Sequence, residues 1–505
     1  RRVDPILSTL IWAAYIAIVL GLAIYGANCY AMVVLFLKRF RTRARRYKTV
    51  REAFWATHRD EDLPLITVQL PVFNEKYVVS RLIHAVTKID YPKDKLEIQV
   101  LDDSTDETTE ISRQAVEFYA SQGFDITLLH RTNREGYKAG ALDEGLRVAK
   151  GRYIAIFDAD FVPSPDYLRL MVPFFFQEGR KIAVVQGRWG YFNDRYSWLT
   201  KAQSVALDGH FAMEQPGCNW NGWFAKFNGT AGIIDRQAIE EAGGWEHDTL
   251  TEDLDLAYRA QMKNWEVEYV LDVDVTSEIQ ASIYAYKAQQ RRWAKGTIQT
   301  FVKLLPRLWR SKQPFTTKLE ASIIMTQHLV SPMILGMALL TLPMIGLWTV
   351  DFSSGGSGGG DPFLAFLPFL ILSVVTSLTM LGAVSMYVAS ETMMRKDWGR
   401  RIIYIPVVLT IGAGISISNA KAVFEGLIGI QSPFVRTPKD NVGRKRVKTK
   451  RRYKLPVDAV FVFEIVLAAY CFYTAYAYLE AGKPTFIPFL LMYGIGFSIM
   501  ASSGV

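Results

Sequence analysis

Two carboxylates spaced for a divalent cation follow one of the predicted strands. Asp158-Ala159-Asp160 comes directly after Arg152–Phe157 (RYIAIF), so both acids lie on the turn where that strand ends. Carboxylate oxygens are ligands that Mg²⁺ and Mn²⁺ take in proteins, and two of them leave coordination positions open for diphosphate oxygens. An isolated Asp-x-Asp also occurs by chance on solvated loops, so its place at a strand end and its partners decide its meaning.

A second acid pair ends another predicted strand. Asp102-Asp103 follows Leu96–Leu101 (LEIQVL). One of these carboxylates can accept a hydrogen bond from a ribose hydroxyl or a base, as acids do in other nucleotide sites. The alternative is local, because Ser104 or Asp106 could cap a following helix. Both interpretations can hold, since adjacent residues can divide the two roles.

A lysine between two glycines precedes a predicted helix. The segment Asn133–Gly140 (NREGYKAG) places Lys138 at this position. Backbone N–H groups at a helix N-terminus, with an ammonium beside them, suit a phosphate. The pattern is weak alone and gains weight only from the acids described above.

A further acid cluster, Thr251-Glu252-Asp253, lies just before the apolar-periodic segment Leu254–Met262 and so at a helix start. The local interpretation is capping, with Thr251 as the cap and acids in the first turn. The chemical interpretation is a general base, because a base must be a carboxylate or similar group near the reacting atoms. This is the best remaining acid cluster for that role.

The segment Gln289–Trp293 (QQRRW) lies in a basic, aromatic region of helical pattern. Arg292 could neutralise a leaving diphosphate through two parallel hydrogen bonds. Trp293 offers a flat apolar face to a sugar ring. The alternative is a helix at a membrane interface, where Trp and Arg are common anchors.

The elements that must position these side chains alternate between strand and helix. The predicted strands are Leu65–Phe73, Leu96–Leu101, Asp125–His130 and Arg152–Phe157, and the predicted helices are Lys76–Ile89, Thr108–Ser121 and Ala139–Ala149. Such alternation predicts a doubly wound, mostly parallel sheet, in which ligands bind beyond the carboxyl ends of the strands. The polar clusters occur at those ends, including Asn74-Glu75 after the first strand.

Long apolar runs flank this α/β region. The runs without a formal charge are Pro5–Leu37, Ala321–Val350, Pro362–Ser390, Ile402–Ala420 and Pro484–Val505. Crossing a bilayer takes about 20 apolar residues, which the longer runs exceed. The basic segment Lys38–Arg51 follows the first run directly, and this predicts that the N-terminus lies outside and the α/β domain in the cytoplasm.

The net charge of +9 does not indicate nucleic-acid binding. Much of the excess lies next to the predicted membrane helices, in Lys38–Arg51 and Arg444–Lys454, where contact with anionic lipid headgroups explains it better. The cysteines Cys29, Cys218 and Cys471 are far apart and form no Cys-x-x-Cys. They predict neither a disulfide framework nor a zinc site, which suits a reducing cytoplasm.

These patterns predict six regions. A first transmembrane helix (1–37) precedes the cytoplasmic α/β domain (38–280), interfacial helices (281–318), a transmembrane pair (319–391), an interfacial or re-entrant segment with a loop (392–456) and a last transmembrane pair (457–505). Both Arg395–Arg401 and the more basic Arg444–Lys454 should lie inside. The chain must cross an even number of times between them, which predicts five spans with the C-terminus inside.

The ordered set of motifs resembles the processive glycosyltransferases of family 2, the cellulose synthase superfamily. That set is Asp102-Asp103, Asp158-x-Asp160, Thr251-Glu252-Asp253 and Gln289-x-x-Arg292-Trp293. Longer strings resemble the plant cellulose-synthase-like A and C groups, in a compact, bacterial-type form: QVLDDSTD, GYKAGAL, FDADF, FNGTAG and AGGW. Those groups make β-1,4-mannan, glucomannan or glucan backbones.

The resemblance implies a GT-A domain inserted in an α-helical transmembrane bundle with interfacial helices. It assigns nucleotide binding to Asp102, Asp103, Glu75 and Lys138, the metal to Asp158 and Asp160, and the general base to Asp253 beside Thr251 and Glu252. It assigns the acceptor and diphosphate to Gln289, Arg292 and Trp293. Phe434–Asp440 (FVRTPKD) resembles the gating loop of bacterial cellulose synthase at Phe434, Thr437 and Lys439, whereas Arg436 replaces that family's valine.

The implied activity is inverting hexosyl transfer from a nucleotide sugar, with Mg²⁺ or Mn²⁺, to a growing β-1,4-linked polysaccharide at the plasma (inner) membrane. UDP-glucose is slightly favoured over GDP-mannose, because the loop resembles that of glucan synthases. The partners are then the donor, the polysaccharide and membrane lipid, without nucleic acid; a periplasmic partner is not indicated. Two alternatives stay open: single-sugar transfer to a membrane lipid, and a channel with a non-catalytic domain.

Overall fold

A computed structural model describes residues 4–347, 362–432 and 460–502. The loop residues Phe434, Arg436, Thr437 and Lys439 lie outside the described residues. The helices, in chain order, are α1 Pro5–Thr57, α2 Val79–Val86, α3 Thr108–Ser121, α4 Tyr137–Val148, α5 Tyr167–Met171, α6 Trp198–Gly209, α7 Gln215–Asn219, α8 Arg236–Ala242, α9 Glu252–Met262, α10 Ile283–Arg310, α11 Phe315–Thr326, α12 Val330–Leu347, α13 Pro362–Met394, α14 Trp398–Arg401, α15 Ile405–Gly414, α16 Ser416–Leu427, α17 Val460–Glu480 and α18 Ile487–Ala501.

One sheet organises the domain between α1 and α10. Its strands are β1 Ile66–Val72, β2 Leu96–Asp102, β3 Asp125–His130, β4 Tyr153–Ile156, β5 Ile182–Tyr191, β6 Gly232–Asp235 and β7 Glu266–Ser277, in the order β3-β2-β1-β4-β6-β5-β7. The pairs among β1 to β4 and the pair β5–β7 are parallel, whereas β6 runs antiparallel to both neighbours. The predicted mostly parallel sheet is confirmed.

Strands β1, β2 and β4 form where the sequence predicts them, because they are buried on both faces, whereas the edge strand β3 is only partly buried. Every residue of β2 is buried, and β1 is buried except at Pro71. Strands covered on both sides read as nearly continuous apolar runs, which is the pattern recognised in the sequence. The pairing of Val72 with Asp102 aligns the ends of β1 and β2, so the residues after both strands share one edge.

Helix α1 runs well past the apolar segment that opens it. Its 53 residues span about 80 Å, longer than a bilayer is thick. The basic half packs on the sheet domain: Arg43 donates to the carbonyl of Trp220 at 2.9 Å, and Arg46 bonds Glu268 at 2.6 Å. The expectation that all of Lys38–Arg51 faces lipid headgroups is therefore wrong for these two arginines, whereas Lys38 and Arg45 are exposed.

Several helices have the length and composition of membrane spans. Within the described residues four qualify, over Ile6–Thr57, Phe315–Ile345, Val374–Met394 and Val460–Glu480. The segment predicted as interfacial or re-entrant is a pair, Trp398–Gly414 and Ser416–Leu427, bent by 48°. It would make a fifth span if it crosses as one unit, and α18 is apolar but shorter. The number of crossings and the orientation stay predictions.

A buried ionic network joins the sheet domain to α13. Asp208 of α6 is fully buried and accepts hydrogen bonds from Arg395, at 2.8 and 3.1 Å, and from Arg401 at 3.3 Å. Arg401 also donates to the fully buried Glu391 at 2.6 Å. Buried charges of this kind cost several kcal/mol when a partner is lost, so the network fixes the domain against the helix bundle.

Glu268 tests whether the contact with α1 holds the domain in place. Its carboxylate is 1% exposed and pairs with both Arg46 and Arg180 at 2.6 Å. Glu268→Ala leaves both guanidiniums without this partner, so we expect the Tm in detergent to fall by on the order of 10 °C. The control is Glu266→Ala, which removes a 47% exposed partner of Arg180 and should lower Tm by less than about 3 °C. Equal shifts would contradict the assignment.

Candidate active site

A cavity of about 200 Å³ opens at the carboxyl ends of β1, β2 and β4. It gathers most of the residues that the sequence singles out. Those on its wall are Glu75, Asp103, Lys138, Asp158, Asp160, Thr251, Glu252, Asp253, Gln289, Arg292 and Trp293. Residues as far apart as 75 and 293 thus meet at one place, at the sheet edge where ligands of such folds bind.

The two adjacent acids after β2 have different environments. Asp103 lies on the cavity wall, and Arg131 holds both of its oxygens at 2.7 and 2.6 Å. Asp102 is fully buried and accepts from the backbone N–H of Ser104, from Thr109 and from His130. The structure therefore separates this pair: Asp103 faces the cavity, while Asp102 shapes the turn that presents it.

Lys138, in the glycine-flanked segment that suits a phosphate, forms an ion pair with the Asp158 carboxylate. It follows Gly136, whose left-handed φ of +67° begins α4, and its ammonium pairs with Asp158 and donates to the carbonyl of Gly229 at 2.8 Å. Burial alone would lower the pKa of Lys138, but the carboxylates of Asp158 and Glu252 raise it above the ordinary value. The lysine is thus a fixed positive charge in the cavity.

The acid cluster at the start of α9 is not simply a helix cap. Thr251 stands at the N-cap position, but in the described structure its hydroxyl pairs with that of Thr300 at 3.0 Å instead of capping the helix. Burial, followed by the charge of Glu252, raises the pKa of Asp253 to about 7, and burial raises that of Glu252. Carboxylates held in such an environment are typical of proton-transferring groups.

A glycine makes room for the Asp253 carboxylate. A Cβ at Gly229 would stand 2.8 Å from Asp253 Oδ2 and 3.3 Å from Lys138 Nζ, and the residue has a left-handed φ of +75°. Any side chain there would collide with the acid and strain the backbone. The segment FNGTAG is therefore the place where the loop before β6 comes close to the start of α9.

Helix α10 supplies the basic and aromatic side of the cavity. Burial lowers the pKa of Arg292, and the surrounding carboxylates of Glu252 and Asp158 oppose that shift. The ring of Trp293 lies 6.4 Å from that of Trp189, which stacks on Phe211 at 4.6 Å. Arg292 thus faces the acids, and the aromatic group offers flat apolar surface to a sugar.

Several cavity residues are not among the site residues that the sequence analysis predicts. They are Phe73, Arg134, Trp189, Asn228, Glu278 and Gln280. Trp189 lies on β5 and Glu278 follows β7, and neither strand was assigned from the sequence. Arg134 lies inside the quoted string NREGYKAG, so its basic side chain next to the glycine-flanked lysine was an available signal.

The charges on the wall fit a divalent cation that arrives with a diphosphate. Asp158 and Asp160 supply two carboxylates, and the described residues contain no group of three or more His, Cys, Asp or Glu side chains placed to hold a metal alone. Mg²⁺ and similar ions are often held by one or two carboxylates plus substrate phosphates. The donor set therefore suits an ion that takes its other ligands from the substrate and water.

A mostly parallel sheet with acids, a phosphate-type lysine and a basic aromatic helix at its carboxyl edge defines a nucleotide-diphosphate-binding α/β domain. Residues 64–296 match the family model described as glycosyltransferase like family 2. The chain therefore contains a glycosyltransferase family 2 domain of GT-A fold, as the sequence predicts.

Named relatives extend this match. The chain is 40% identical over 315 residues to glucomannan 4-beta-mannosyltransferase 2 of Arabidopsis thaliana, covering 60% of this chain and 57% of the relative. It is 44% identical over 254 residues to glucomannan 4-beta-mannosyltransferase 1 of Oryza sativa subsp. japonica, covering 50% and 49%. The chain thus spans about half the length of these curated relatives.

Among solved structures, a mannosyltransferase from Pyrobaculum calidifontis in complex with GDP-Man and Mn²⁺ matches with a TM-score of 0.45 and 22% identity. That match covers 72% of this chain and 97% of the other.

Asp253→Asn separates a catalytic acid from a structural one. The amide cannot take a proton from an acceptor, so we expect sugar transfer to fall at least about 100-fold, in the range that general bases contribute. Nucleotide binding should stay within a few-fold of the parent.

The raised pKa of Asp253 means that its protonated form is favoured by folding, so its contribution to stability falls as pH rises from about 4 through about 7.

The same variant should therefore be more stable than the parent at pH 8 in EDTA, with a Tm difference that narrows toward pH 5. Asp143→Asn, on the solvent side of α4, is the control and should change neither property. Normal sugar transfer by Asp253→Asn would place the base elsewhere.

Proposed function

We propose that this protein is a membrane-embedded, inverting glycosyltransferase that extends a β-1,4-linked mannan or glucomannan backbone from a nucleotide sugar. The observation that carries the proposal is the convergence of Asp158, Asp160, Asp253 and Arg292 on one cavity at the carboxyl edge of the sheet. The family match and the relatives named as mannosyltransferases support it. Mannosyl transfer replaces the slight expectation of UDP-glucose, which rested on loop residues outside the described structure.

The cavity contains a group for each step of the reaction. Asp253 takes the proton of the acceptor hydroxyl while that oxygen attacks the anomeric carbon. The bond from that carbon to the diphosphate oxygen breaks on the opposite face, which inverts the configuration. Lys138 and Arg292 hold the departing diphosphate, since buried ammonium and guanidinium groups stabilise charge that develops on it.

Asp158 and Asp160 would hold a divalent cation against the donor. When bound, the cation offsets negative charge on the diphosphate and makes it a better leaving group. Acidic side chains on the wall outnumber basic ones, and they include Asp158, Asp160, Glu252 and Asp253. A diphosphate approaching this surface would be repelled by the four carboxylates unless a cation came with it.

We further propose a multi-pass protein of the plasma (inner) membrane, with the catalytic domain in the cytoplasm. The apolar helices α1, α12, α13 and α17 support this placement. Helix α10 carries both Arg292 at the cavity and Lys287, which bonds Glu464 of the membrane helix α17 at 2.7 Å. An acceptor held at Trp293 would thus lie directly beneath the helix bundle, where a growing polysaccharide could leave.

Product analysis tests the activity. Purified protein is incubated with radiolabelled GDP-mannose or UDP-glucose and a divalent cation, and the product is digested with β-1,4-mannanase or β-1,4-glucanase. We expect a long, mannanase-sensitive polymer from GDP-mannose. A single labelled sugar extracted into organic solvent would instead favour transfer to a membrane lipid, and no nucleotide release would contradict the enzyme assignment.

Cation removal tests the acid pair. Because two carboxylates without a metal repel the diphosphate, excess EDTA should abolish polymer synthesis and added Mn²⁺ or Mg²⁺ should restore it. Asp160→Asn should raise the cation concentration needed for half-maximal activity. Asp143→Asn, at a half-buried residue of α4 that pairs with Arg147, serves as the matched control and should not change it. Full activity in EDTA would count against the Asp158 and Asp160 assignment.

A further inference from the structure

One cavity residue has hydrogen-bonding capacity that the described protein does not use. The guanidinium carbon of Arg134 lies 3.4 Å from the centre of the Phe73 ring and 5.0 Å from that of Tyr137. Within the described residues its side chain makes no hydrogen bond or ion pair, and its Nε is buried without a partner. A buried donor without a partner is costly, and the other four donors of the guanidinium are available to a ligand in the cavity.

The carboxylate that acts most strongly on Arg134 is already engaged. That carboxylate is Asp103, and Arg131 donates to both of its oxygens at 2.7 and 2.6 Å. The Arg134 guanidinium therefore stacks on the rings of Phe73 and Tyr137 and does not form two parallel hydrogen bonds with a carboxylate. Stacking fixes the plane of the guanidinium, which leaves its outer nitrogens to donate in directions that the protein has set.

The backbone holds Arg134 in an uncommon conformation. Its φ is +43°, and Tyr137 and Gly136 nearby also have positive φ values of +51° and +67°. Non-glycine residues in this region are strained and persist where the surroundings impose the conformation. The same turn therefore positions both side chains. Lys138 faces the part of the cavity where phosphates would bind, and Arg134 faces Asp103.

The charged surroundings distinguish the two ends of the cavity. The neighbours of Arg134 are Asp103 and Arg131, whereas the carboxylates around Arg292 are Glu252 and Asp158. Under the proposed function, the diphosphate of the donor lies near Arg292, Glu252 and Asp158. Arg134 is then at the nucleoside end of the site.

We propose that Arg134 reads the nucleobase of the donor and selects guanine, by donating two parallel hydrogen bonds from its stacked guanidinium to O6 and N7 of the base. Guanine is the base that presents two neighbouring acceptors on that edge. Uracil, like thymine, presents only O4, and adenine presents one acceptor beside a donor. A planar fork with donors alone therefore matches a guanosine diphosphate sugar better than a uridine one.

The inference rests on the proposed function but is tested by binding alone. The affinities of the full-length protein in detergent for GDP, UDP and 7-deaza-GDP are measured by calorimetry with Mg²⁺. A bidentate arginine–guanine contact discriminates by about 5- to 150-fold, so GDP should bind more tightly than UDP and 7-deaza-GDP by such factors. The analogue removes the N7 acceptor from the ligand, so this arm needs no protein variant that might fail to fold.

Variants then locate the effect. Arg134→Gln and Arg134→Lys should both lose the difference between GDP and 7-deaza-GDP, since neither has the fork. Arg147→Gln, at an exposed arginine of helix α4, which follows the turn that holds Arg134, is the matched control and should keep it. An equal loss of GDP and UDP affinity in Arg134→Lys would overturn the inference and make Arg134 a phosphate contact.

The failures of the two proposals are distinguishable. A parent that binds 7-deaza-GDP as tightly as GDP, or prefers UDP, overturns the reading of guanine while nucleotide binding itself still supports a glycosyltransferase. A parent that binds none of the three nucleotides overturns both.

Discussion

Four carboxylates in one cavity set the main physical constraint on this molecule. Asp158, Asp160, Glu252 and Asp253 all line it, and burial and mutual repulsion raise the pKa values of Glu252 and Asp253. Such a cluster persists only because fixed positive groups from other elements compensate it. The surrounding fold brings those groups to the same edge of the sheet.

The compensating groups come from distant parts of the chain. Lys138 is supplied by the first turn of α4, and Arg292 by α10, which follows the last strand of the sheet. Helix α10 is in turn held to α16 by Lys295, whose ammonium lies 3.0 Å from the Glu425 carboxylate. One face of the catalytic cavity is thus part of the helix bundle, so movement of the bundle would alter the position of Arg292.

The domain is also fixed to apolar helices at two further places. Arg46 of α1 bonds Glu268 of β7, and Asp208 of α6 binds Arg395 at the end of α13. Each buried carboxylate would be strongly destabilising if it were left unpaired. These contacts set the orientation of the cavity toward the bundle, as the proposed extension of a polysaccharide would require.

The sequence by itself determined the first half of the sheet and the identity of most site residues. Strands β1, β2 and β4 are buried on both faces, so their apolar runs are visible locally, and the acids at their ends follow directly. Strands β5 and β7 carry arginine, aspartate and glutamate among their apolar residues, and β6 has only four residues, so no comparable local signal marks them. Only the tertiary structure separated Asp102 from Asp103, because a hydrogen bond to His130, 28 residues away, decides which acid turns inward. It alone also divided Lys38–Arg51 between domain and solvent and brought Arg134 onto Phe73, since both depend on contacts between residues distant in sequence.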